Sequence, residues 1–202
     1  YENYEIQIFN SGDVMYDAAL FYSNYAKRPQ FLDSLDIGDN FSLATIHRAE
    51  NTDSFDRLEE IIIALNEVHK KTPLVIPLHP RTRNIITNLD LKVEFHIIDP
   101  VGYLEMIYLL KFCKFVLSDS GGVQKEAYYF KKPCLILRDE TEWVELVEHG
   151  ANRIVRTNKK DIILAVETLD KNIDYDMNFY GAGDSANLIV DFLKSHNKYI
   201  SN

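Results

Sequence analysis

The feature that most constrains the fold of this chain is a regular alternation of short apolar runs and amphipathic segments that begins near residue 41. Six runs have the length and composition of buried β-strands: 41–46, 74–78, 95–98, 115–117, 134–137 and 153–155. A segment with helical spacing of apolar residues follows each run. Strands that alternate strictly with helices form a parallel sheet covered on both faces, so we predict a Rossmann-like α/β fold.

The helix after the first strand has the clearest period, with Asp53 or Ser54 as its N-cap. Its apolar positions are Leu58, Ile61, Ile62, Leu65 and Val68. The other predicted helices of this series are shorter and cover 82–89, 103–112, a stretch after Gly122, 142–148 and 160–169. These segments supply the crossover connections that parallel strands require.

The segment before the alternation does not fit it. Residues 1–40 contain an expected short strand at 5–9 and an expected helix at 13–26. We interpret them as the tail of a preceding domain with a linker helix. Because the first residue is tyrosine and not methionine, we expect the chain to be a fragment of a longer protein.

The chain then divides into a main domain and a terminal segment. Residues 41–180 hold all six strand–helix units and form the predicted Rossmann-like domain. Residues 181–202 contain a final predicted helix at 185–194, which stands apart from the alternation.

The fourth predicted strand ends in Ser-Asp-Ser-Gly-Gly at residues 118–122, directly before a helix. Glycines let a ligand approach the backbone closely, and the N–H groups at a helix start favour a phosphate. Glu126 lies about one turn along this helix, where a carboxylate can accept hydrogen bonds from a ribose diol. Taken alone, the turn fits an ordinary strand–helix connection with Glu126 on a solvated face equally well.

The residues that follow the other strands favour the anion-binding interpretation. Ligands of such sheets bind outside the carboxyl ends of the strands. Several cationic side chains fall at these positions: His47, Arg48, His79, Arg81, Arg83 and Arg138. The net charge of the chain is −9, so general composition does not explain this concentration of cations. We therefore predict a nucleotide or phosphate site at this edge.

The composition also argues against several other classes of protein. Nucleic-acid binding requires clustered Lys and Arg, and a net charge of −9 is unfavourable for it. No apolar run approaches the roughly 18 residues of a membrane span, and no signal peptide is evident, so we expect a cytoplasmic protein without membrane contact. Cys113 and Cys134 lie in apolar contexts and are expected to be reduced core residues.

Four polar motifs follow the strands in a fixed order. They are Thr-Ile-His-Arg-Ala-Glu-Asn at 45–51, His-Pro-Arg-Thr-Arg at 79–83, Ser-Asp-Ser-Gly-Gly-Val-Gln-Lys-Glu-Ala at 118–127 and Arg-Asp-Glu-Thr-Glu-Trp at 138–143. In this order they resemble the bacterial non-hydrolysing UDP-N-acetylglucosamine 2-epimerase family, and residues 12–17 resemble its crossover from the N-terminal domain. The resemblance implies the C-terminal half of a GT-B two-domain architecture, with residues 181–202 packed back on the N-terminal domain.

The resemblance also implies functions for the matching residues. His47 would lie beside the diphosphate and the sugar as a catalytic residue, and the uracil would lie near residues 100–103. No cofactor or metal ion is implied. The implied UDP-sugar-binding residues are Ser120, Gly121 and Gly122 at the diphosphate, Glu126 at the ribose hydroxyls, and Arg138 and Arg81.

The implied reaction is inversion of C2 of a UDP-N-acetylhexosamine, by elimination and re-addition of UDP through a glycal intermediate. Cations and N–H donors would stabilise the leaving diphosphate, and carboxylates would transfer the proton at C2. In the family those carboxylates belong to the N-terminal domain, so we expect this chain alone to be inactive. We expect the full-length protein to be a homodimer.

Two other functions would use the same UDP site. A GT-B glycosyltransferase would transfer the sugar from a UDP-sugar donor to an acceptor, and a non-catalytic module would only bind UDP. The sugar is open as well, because Glu-Thr-Glu-Trp-Val-Glu at 140–145 is more similar to relatives that act on UDP-2,3-diacetamido-uronic acid sugars than to the UDP-N-acetylglucosamine enzymes.

Overall fold

The computed structural model of the protein describes residues 8–35, 37–170 and 172–196. The helices are α1 (Val14–Ser23), α2 (Phe31–Ser34), α3 (Ala49–Thr52), α4 (Phe55–Lys71), α5 (Pro80–Asn88), α6 (Tyr103–Phe112), α7 (Gly121–Tyr129), α8 (Val144–Glu148), α9 (Lys159–Glu167) and α10 (Ser185–His196). The strands are β1 (Ser42–Thr45), β2 (Leu74–Pro77), β3 (His96–Ile98), β4 (Val116–Ser118), β5 (Cys134–Ile136) and β6 (Asn152–Ile154). All six strands predicted from residue 41 onward are confirmed, with ends that differ by about one residue.

The strands form one parallel six-stranded sheet in the order β3-β2-β1-β4-β5-β6. The predicted Rossmann-like parallel sheet is therefore confirmed. The chain builds the sheet outward in one direction from β1 and in the other direction from β4. These two strands are neighbours, with Thr45 opposite Ser118 at their carboxyl ends. Their connections leave toward opposite faces, which opens a crevice at this point of the sheet.

Two apolar layers cover the sheet, because successive strand residues face opposite sides. Ala44 and Leu117 pack on one side with residues of α4, α5 and α9. Leu43 and Val116 pack on the other side with residues of α2, α6 and α7. Cys113 and Cys134 belong to this second layer and are buried and free, as predicted.

The helices outside the alternation pack on each other. The structure confirms the predicted helices near the two termini as α1 and α10, and it adds the short α2 and α3. The Asp17 carboxylate on α1 accepts hydrogen bonds from the N–H groups of Ser185 and Ala186, at 3.1 and 2.7 Å, and so binds the first turn of α10. Of the expected strand at 5–9, residues 5–7 lie outside the described part, and residues 8 and 9 are not in a strand.

Two chain segments cross in direct contact between α1 and α10. Gly12 and Gly181 both have left-handed backbone angles, with φ of +83° and +86°. A Cβ at Gly12 would lie 2.6 Å from the Ser185 hydroxyl and 2.9 Å from the Tyr180 carbonyl oxygen. Backbone therefore passes backbone here without room for a side chain, and the Asp13 N–H donates to the same Tyr180 carbonyl at 2.9 Å.

We expect Gly12→Ala to lower the free energy of unfolding by roughly 2–4 kcal/mol, because left-handed strain of about 1–2 kcal/mol adds to the steric clash. Gly150→Ala is the matched control, since Gly150 has φ +84° and a Cβ there would meet nothing within 4 Å. Urea unfolding measures the loss of stability in each variant. The loss in Gly150→Ala reports the left-handed strain alone, and any additional loss in Gly12→Ala reports the steric clash. Equal losses of stability in both would show that the steric clash at the crossing adds nothing to the left-handed strain.

Candidate functional site

The carboxyl ends of β1 and β4 border a cavity of about 240 Å³. The loops after β1, β2, β3 and β4 all contribute to it. Its lining includes Ile46, His47, His79, Pro100, Val101 and Ser120. The structure thus brings the predicted catalytic histidine and the first predicted diphosphate residue to one cavity. Part of the loop at 100–103, predicted to lie near a uracil, also lines it.

His47 is held by the carboxylate of Asp119, which follows β4. The His47 Nδ1 atom lies 3.1 Å from the Asp119 carboxylate, and the His47 N–H donates to both of its oxygens at 3.1 Å. Asp119 also accepts from the Arg48 N–H at 3.0 Å and from the Asn51 amide at 3.1 Å. Asp119 is fully buried, whereas the His47 side chain is 54% exposed. One buried carboxylate therefore joins the loops of the two central strands.

The ionisation of this pair follows from its contacts. Burial acts to raise the pKa of Asp119, but hydrogen bonds from His47, the Arg48 N–H and Asn51 outweigh burial and lower it. The hydrogen bond with Asp119 raises the pKa of His47, against the effects of burial and of the Arg48 charge. The arrangement therefore favours a carboxylate beside an imidazolium.

The start of α7 provides N–H donors beside this pair. Ser120 is the N-cap of α7, and its hydroxyl faces the Val123 N–H at 3.5 Å. Gly121 and Gly122 occupy the first two helical positions, whose N–H groups have no carbonyl partner within a helix. These two N–H groups lie at the positive end of the helix dipole and are suited to an anion.

The fold itself does not require the two glycines at this helix start. Neither Gly121 nor Gly122 has a positive φ angle. A Cβ at Gly121 would come no closer than 3.5 Å to another group, and one at Gly122 no closer than 4.0 Å, which are ordinary contact distances. Because glycine is less favourable than alanine in a helix, the absence of side chains here points to a ligand that approaches the backbone.

Glu126 is a buried carboxylate one turn farther along α7. Burial raises its pKa, and the nearby Lys125 charge only partly offsets this effect. Lys125 itself pairs with Asp13 in the crossing segment. A ligand hydroxyl is a suitable partner for Glu126, because it would supply a hydrogen bond to a carboxylate that has lost much of its water.

Arg138 approaches the same helix start from the loop after β5. It forms a two-pronged ion pair with Glu142, at 2.8 and 3.1 Å, and is almost fully buried. Arg48 lies 3.7 Å from the same carboxylate. This pairing lowers the pKa of Glu142 to about 2, with the Arg138 hydrogen bond as the main cause. The two arginines therefore share one carboxylate next to Gly121.

Arg81 does not line the cavity. Its guanidinium pairs with Asp53 at 2.8 Å, and its side chain is 64% exposed. His79 holds the start of α5, where its Nδ1 atom accepts from the Arg81 N–H at 3.2 Å, and it also lines the cavity. A contact between Arg81 and a substrate stays a prediction.

Sequence reasoning missed Asp119 and Glu142 as members of the site. Both residues lie inside the four motifs, but the contacts of Asp119 with His47 and of Glu142 with Arg48 are set by the tertiary structure. The order of the sheet is the signal that could have revealed Asp119, because it places the first residues after β1 and β4 side by side.

The described ranges 8–35, 37–170 and 172–196 contain neither a candidate metal site nor a candidate membrane span. No three His, Cys, Asp or Glu side chains come together there as ligands of a metal ion would. None of the helices described has both the length and the apolar composition to cross a membrane.

Comparison with known proteins gives consistent matches along the chain. A family model described as UDP-N-acetylglucosamine 2-epimerase matches residues 2–194. The UDP-2,3-diacetamido-2,3-dideoxy-D-glucuronate 2-epimerase of Pseudomonas aeruginosa is 51% identical over 195 residues, which are 96% of this chain and 54% of that protein. A UDP-N-acetylglucosamine 2-epimerase homolog of Methanococcus maripaludis is 44% identical, over 93% of this chain and 55% of its own length.

Solved structures agree with these matches. The UDP-GlcNAc 2-epimerase of Methanocaldococcus jannaschii superposes with a TM-score of 0.84 at 38% identity, over 93% of this chain and 56% of that one. The same enzyme in complex with UDP-GlcNAc and UDP superposes with a TM-score of 0.80 at 37% identity, over 93% and 55% of the two chains. The chain thus spans a little more than half of the length of the relatives it matches.

Proposed function

Because the chain belongs to the UDP-N-acetylglucosamine 2-epimerase family, we propose that it forms the nucleotide-binding half of an isomerase that inverts C2 of a UDP-sugar. The observation that carries this proposal is the start of α7. Two glycines that the fold does not require lie there at the carboxyl end of β4, next to the loop that bears His47. The complex of the Methanocaldococcus jannaschii relative with UDP-GlcNAc and UDP supports the same class of ligand.

In the proposed complex the diphosphate lies against the N–H groups of Gly121 and Gly122 and the Ser120 hydroxyl. The helix dipole and the His47 imidazolium both favour its negative charge there. Glu126, one turn along α7, accepts hydrogen bonds from the ribose hydroxyls. The uracil lies toward the loop at 100–103, part of which lines the cavity.

Glu142 lies close to the same two arginines that a bound diphosphate would contact. It pairs with Arg138 and lies close to Arg48, and its carboxylate is 3.5 Å from the position of a Cβ at Gly121. A bound diphosphate would therefore compete with Glu142 for both guanidinium groups. We propose that it takes over at least one of them, so that the buried Arg138 and the partly exposed Arg48 each keep an anion as a partner.

The proposed reaction proceeds in two matched halves. A base removes the C2 proton while the C1–O bond breaks and its electron pair leaves with UDP, which yields a glycal. A proton then adds to C2 from the opposite face, and UDP adds again at C1. The groups of this chain hold the departing UDP and stabilise its charge. The acid and base are proposed to be carboxylates of an N-terminal half, and the chain alone is proposed to be inactive.

We also propose a matching domain organisation. Residues 1–40 and 181–202 would connect to an N-terminal half, and residues 41–180 would form the UDP-binding domain. The greater length of the relatives supports this, as do exposed apolar side chains on the two outer helices: Val14, Met15, Phe21, Val190 and Leu193. Cytoplasmic location and a homodimer of the complete enzyme belong to the same proposal, and sedimentation would measure the latter.

The sugar is proposed to be a UDP-2,3-diacetamido-uronic acid. The support is the higher identity in sequence alignment to the Pseudomonas aeruginosa enzyme, 51%, than to the Methanococcus maripaludis UDP-N-acetylglucosamine 2-epimerase homolog, 44%. Rates of the complete enzyme on both UDP-sugars decide between them. Faster turnover of UDP-N-acetylglucosamine would assign the chain to the other branch.

A proton NMR time course in heavy water tests the reaction. The complete enzyme is expected to invert C2 and to place solvent deuterium there without any acceptor, because the C2 proton exchanges during elimination. This chain alone is expected to do neither. Transfer of the sugar to an added acceptor without C2 exchange would favour a glycosyltransferase, and UDP binding without either reaction would favour a non-catalytic module.

Glu126→Ala is expected to weaken UDP binding by at least about 1 kcal/mol, as for the loss of a hydrogen bond to a charged group. The variant should fold normally, since it removes a buried carboxylate. Calorimetric titration with UDP measures the effect, and Glu148→Ala, on the exposed side of α8, is the matched control. Unchanged affinity of the Glu126 variant would remove the ribose assignment.

Gly122→Ala is expected to raise the free energy of unfolding by roughly 0.5 kcal/mol and to weaken UDP binding at least about tenfold. Alanine favours the helix, but its methyl group blocks close approach of the diphosphate. Gly38→Ala should lower the free energy of unfolding and leave UDP binding unchanged. Gly38 has φ +56°, which strains an alanine, and it lies before β1, away from the carboxyl ends of the strands. If Gly122→Ala bound UDP as tightly as the unchanged chain, the diphosphate would lie elsewhere.

A further inference from the structure

The Asp119 carboxylate makes two kinds of contact with the same neighbouring residue. It accepts from the backbone N–H of His47 and also lies 3.1 Å from Nδ1 of the His47 ring. The backbone contacts, together with those of Arg48 and Asn51, would be enough to hold the loop after β1. The ring contact is not needed for that purpose, because the His47 side chain is half exposed and otherwise free to turn.

The contact with Asp119 bears on which nitrogen of the His47 ring carries the proton. An ionised carboxylate only accepts hydrogen bonds, so its position 3.1 Å from Nδ1 favours the tautomer with the proton on Nδ1. Nε2 is then the nitrogen that remains for a ligand, and it has no hydrogen-bond partner among the described residues. A neutral His47 would therefore accept at Nε2, and a protonated one would donate there.

The carboxylate itself cannot move away from the ring. Its backbone and side-chain donors come from three successive parts of the loop after β1, namely His47, Arg48 and Asn51. The Asn51 amide also donates to the Leu137 carbonyl oxygen at 2.9 Å, beyond β5. The position of Asp119 is thus set by three neighbouring loops of the sheet.

We propose that Asp119 is a positioning residue, which fixes the orientation and the tautomer of the His47 ring and so directs Nε2 toward an anion bound at the start of α7. The identity of that anion as a diphosphate rests on the proposed function. The contact between Asp119 and the His47 ring does not depend on the proposed function. The other charged or titratable groups around His47 are Arg48 on its own loop and His79 across the cavity.

Nitrogen-15 NMR of the His47 ring in this chain tests the proposal without any nucleotide. We expect the Nδ1–H tautomer in the unchanged protein. Asp119→Asn should move the proton to Nε2 and lower the pKa of His47, because an amide cannot stabilise the imidazolium as a carboxylate does. Asn51→Ala is the matched control, since it removes one donor to the same carboxylate and loosens the loop without touching the ring.

Two outcomes of this measurement would overturn the proposal. One is an Nε2–H tautomer in the unchanged protein, which needs no variant and so holds even if Asp119→Asn fails to fold. The other is an equal change in the Asp119 and Asn51 variants, which would reduce Asp119 to a structural support of the loop.

Calorimetric titration with UDP connects this result to ligand binding. At pH 7 we expect Asp119→Asn to bind UDP roughly fivefold to tenfold more weakly than the unchanged chain, since the cation next to the anion is lost. The difference should shrink as the pH is lowered, because His47 of the variant then becomes protonated as well. An affinity ratio that does not depend on pH would contradict the proposal. No UDP binding by the unchanged chain would overturn the proposed function and leave the NMR result intact.

Discussion

The geometry of the candidate site depends on one buried negative charge, the carboxylate of Asp119. An ionised carboxylate without solvent costs several kcal/mol unless donors surround it. Here two backbone N–H groups, an amide and an imidazole supply that compensation, and all of them come from the loop after β1. Because the loss of any donor would leave the charge less well solvated, the loops after β1 and β4 can adopt this arrangement only together.

The rest of the sheet makes that arrangement rigid. Thr45 and Ser118 end the two central strands opposite each other, and their hydroxyls share a hydrogen bond of 2.6 Å. The Ser118 hydroxyl also accepts from the Ser120 N–H at 2.9 Å, which fixes the turn into α7. Directly below this polar layer lie Leu43 and Leu117, which are fully buried. The helix start is therefore anchored to a close-packed core, and its donors require little reorganisation to meet an anion.

How much of this could be predicted depended on whether a feature is local in sequence. The strands could be predicted because continuous apolar runs identify buried parallel strands, and the start of α7 because Gly121 and Gly122 follow such a run directly. The partners that the cations meet across different loops could not be predicted in this way. Arg81 is 28 residues from Asp53, and His47 is 72 residues from Asp119, so only the order of the sheet decides that they meet. The cations were located correctly at one edge, but their pairing was not predictable.

Those pairings explain how an acidic chain can present a site for an anion. Five arginines near the carboxyl edge pair with carboxylates: Arg48 and Arg138 share Glu142, Arg57 pairs with Asp139, Arg81 with Asp53 and Arg83 with Asp99. Without them, a nearly buried cation such as Arg138 would be costly to maintain in the absence of a ligand. An anion that binds must replace such a carboxylate, so its affinity reflects the difference between two ion pairs. Among the described residues, no carboxylate accepts a hydrogen bond from the N–H groups of Gly121 and Gly122 at the start of α7, so their attraction for an anion is not offset in this way.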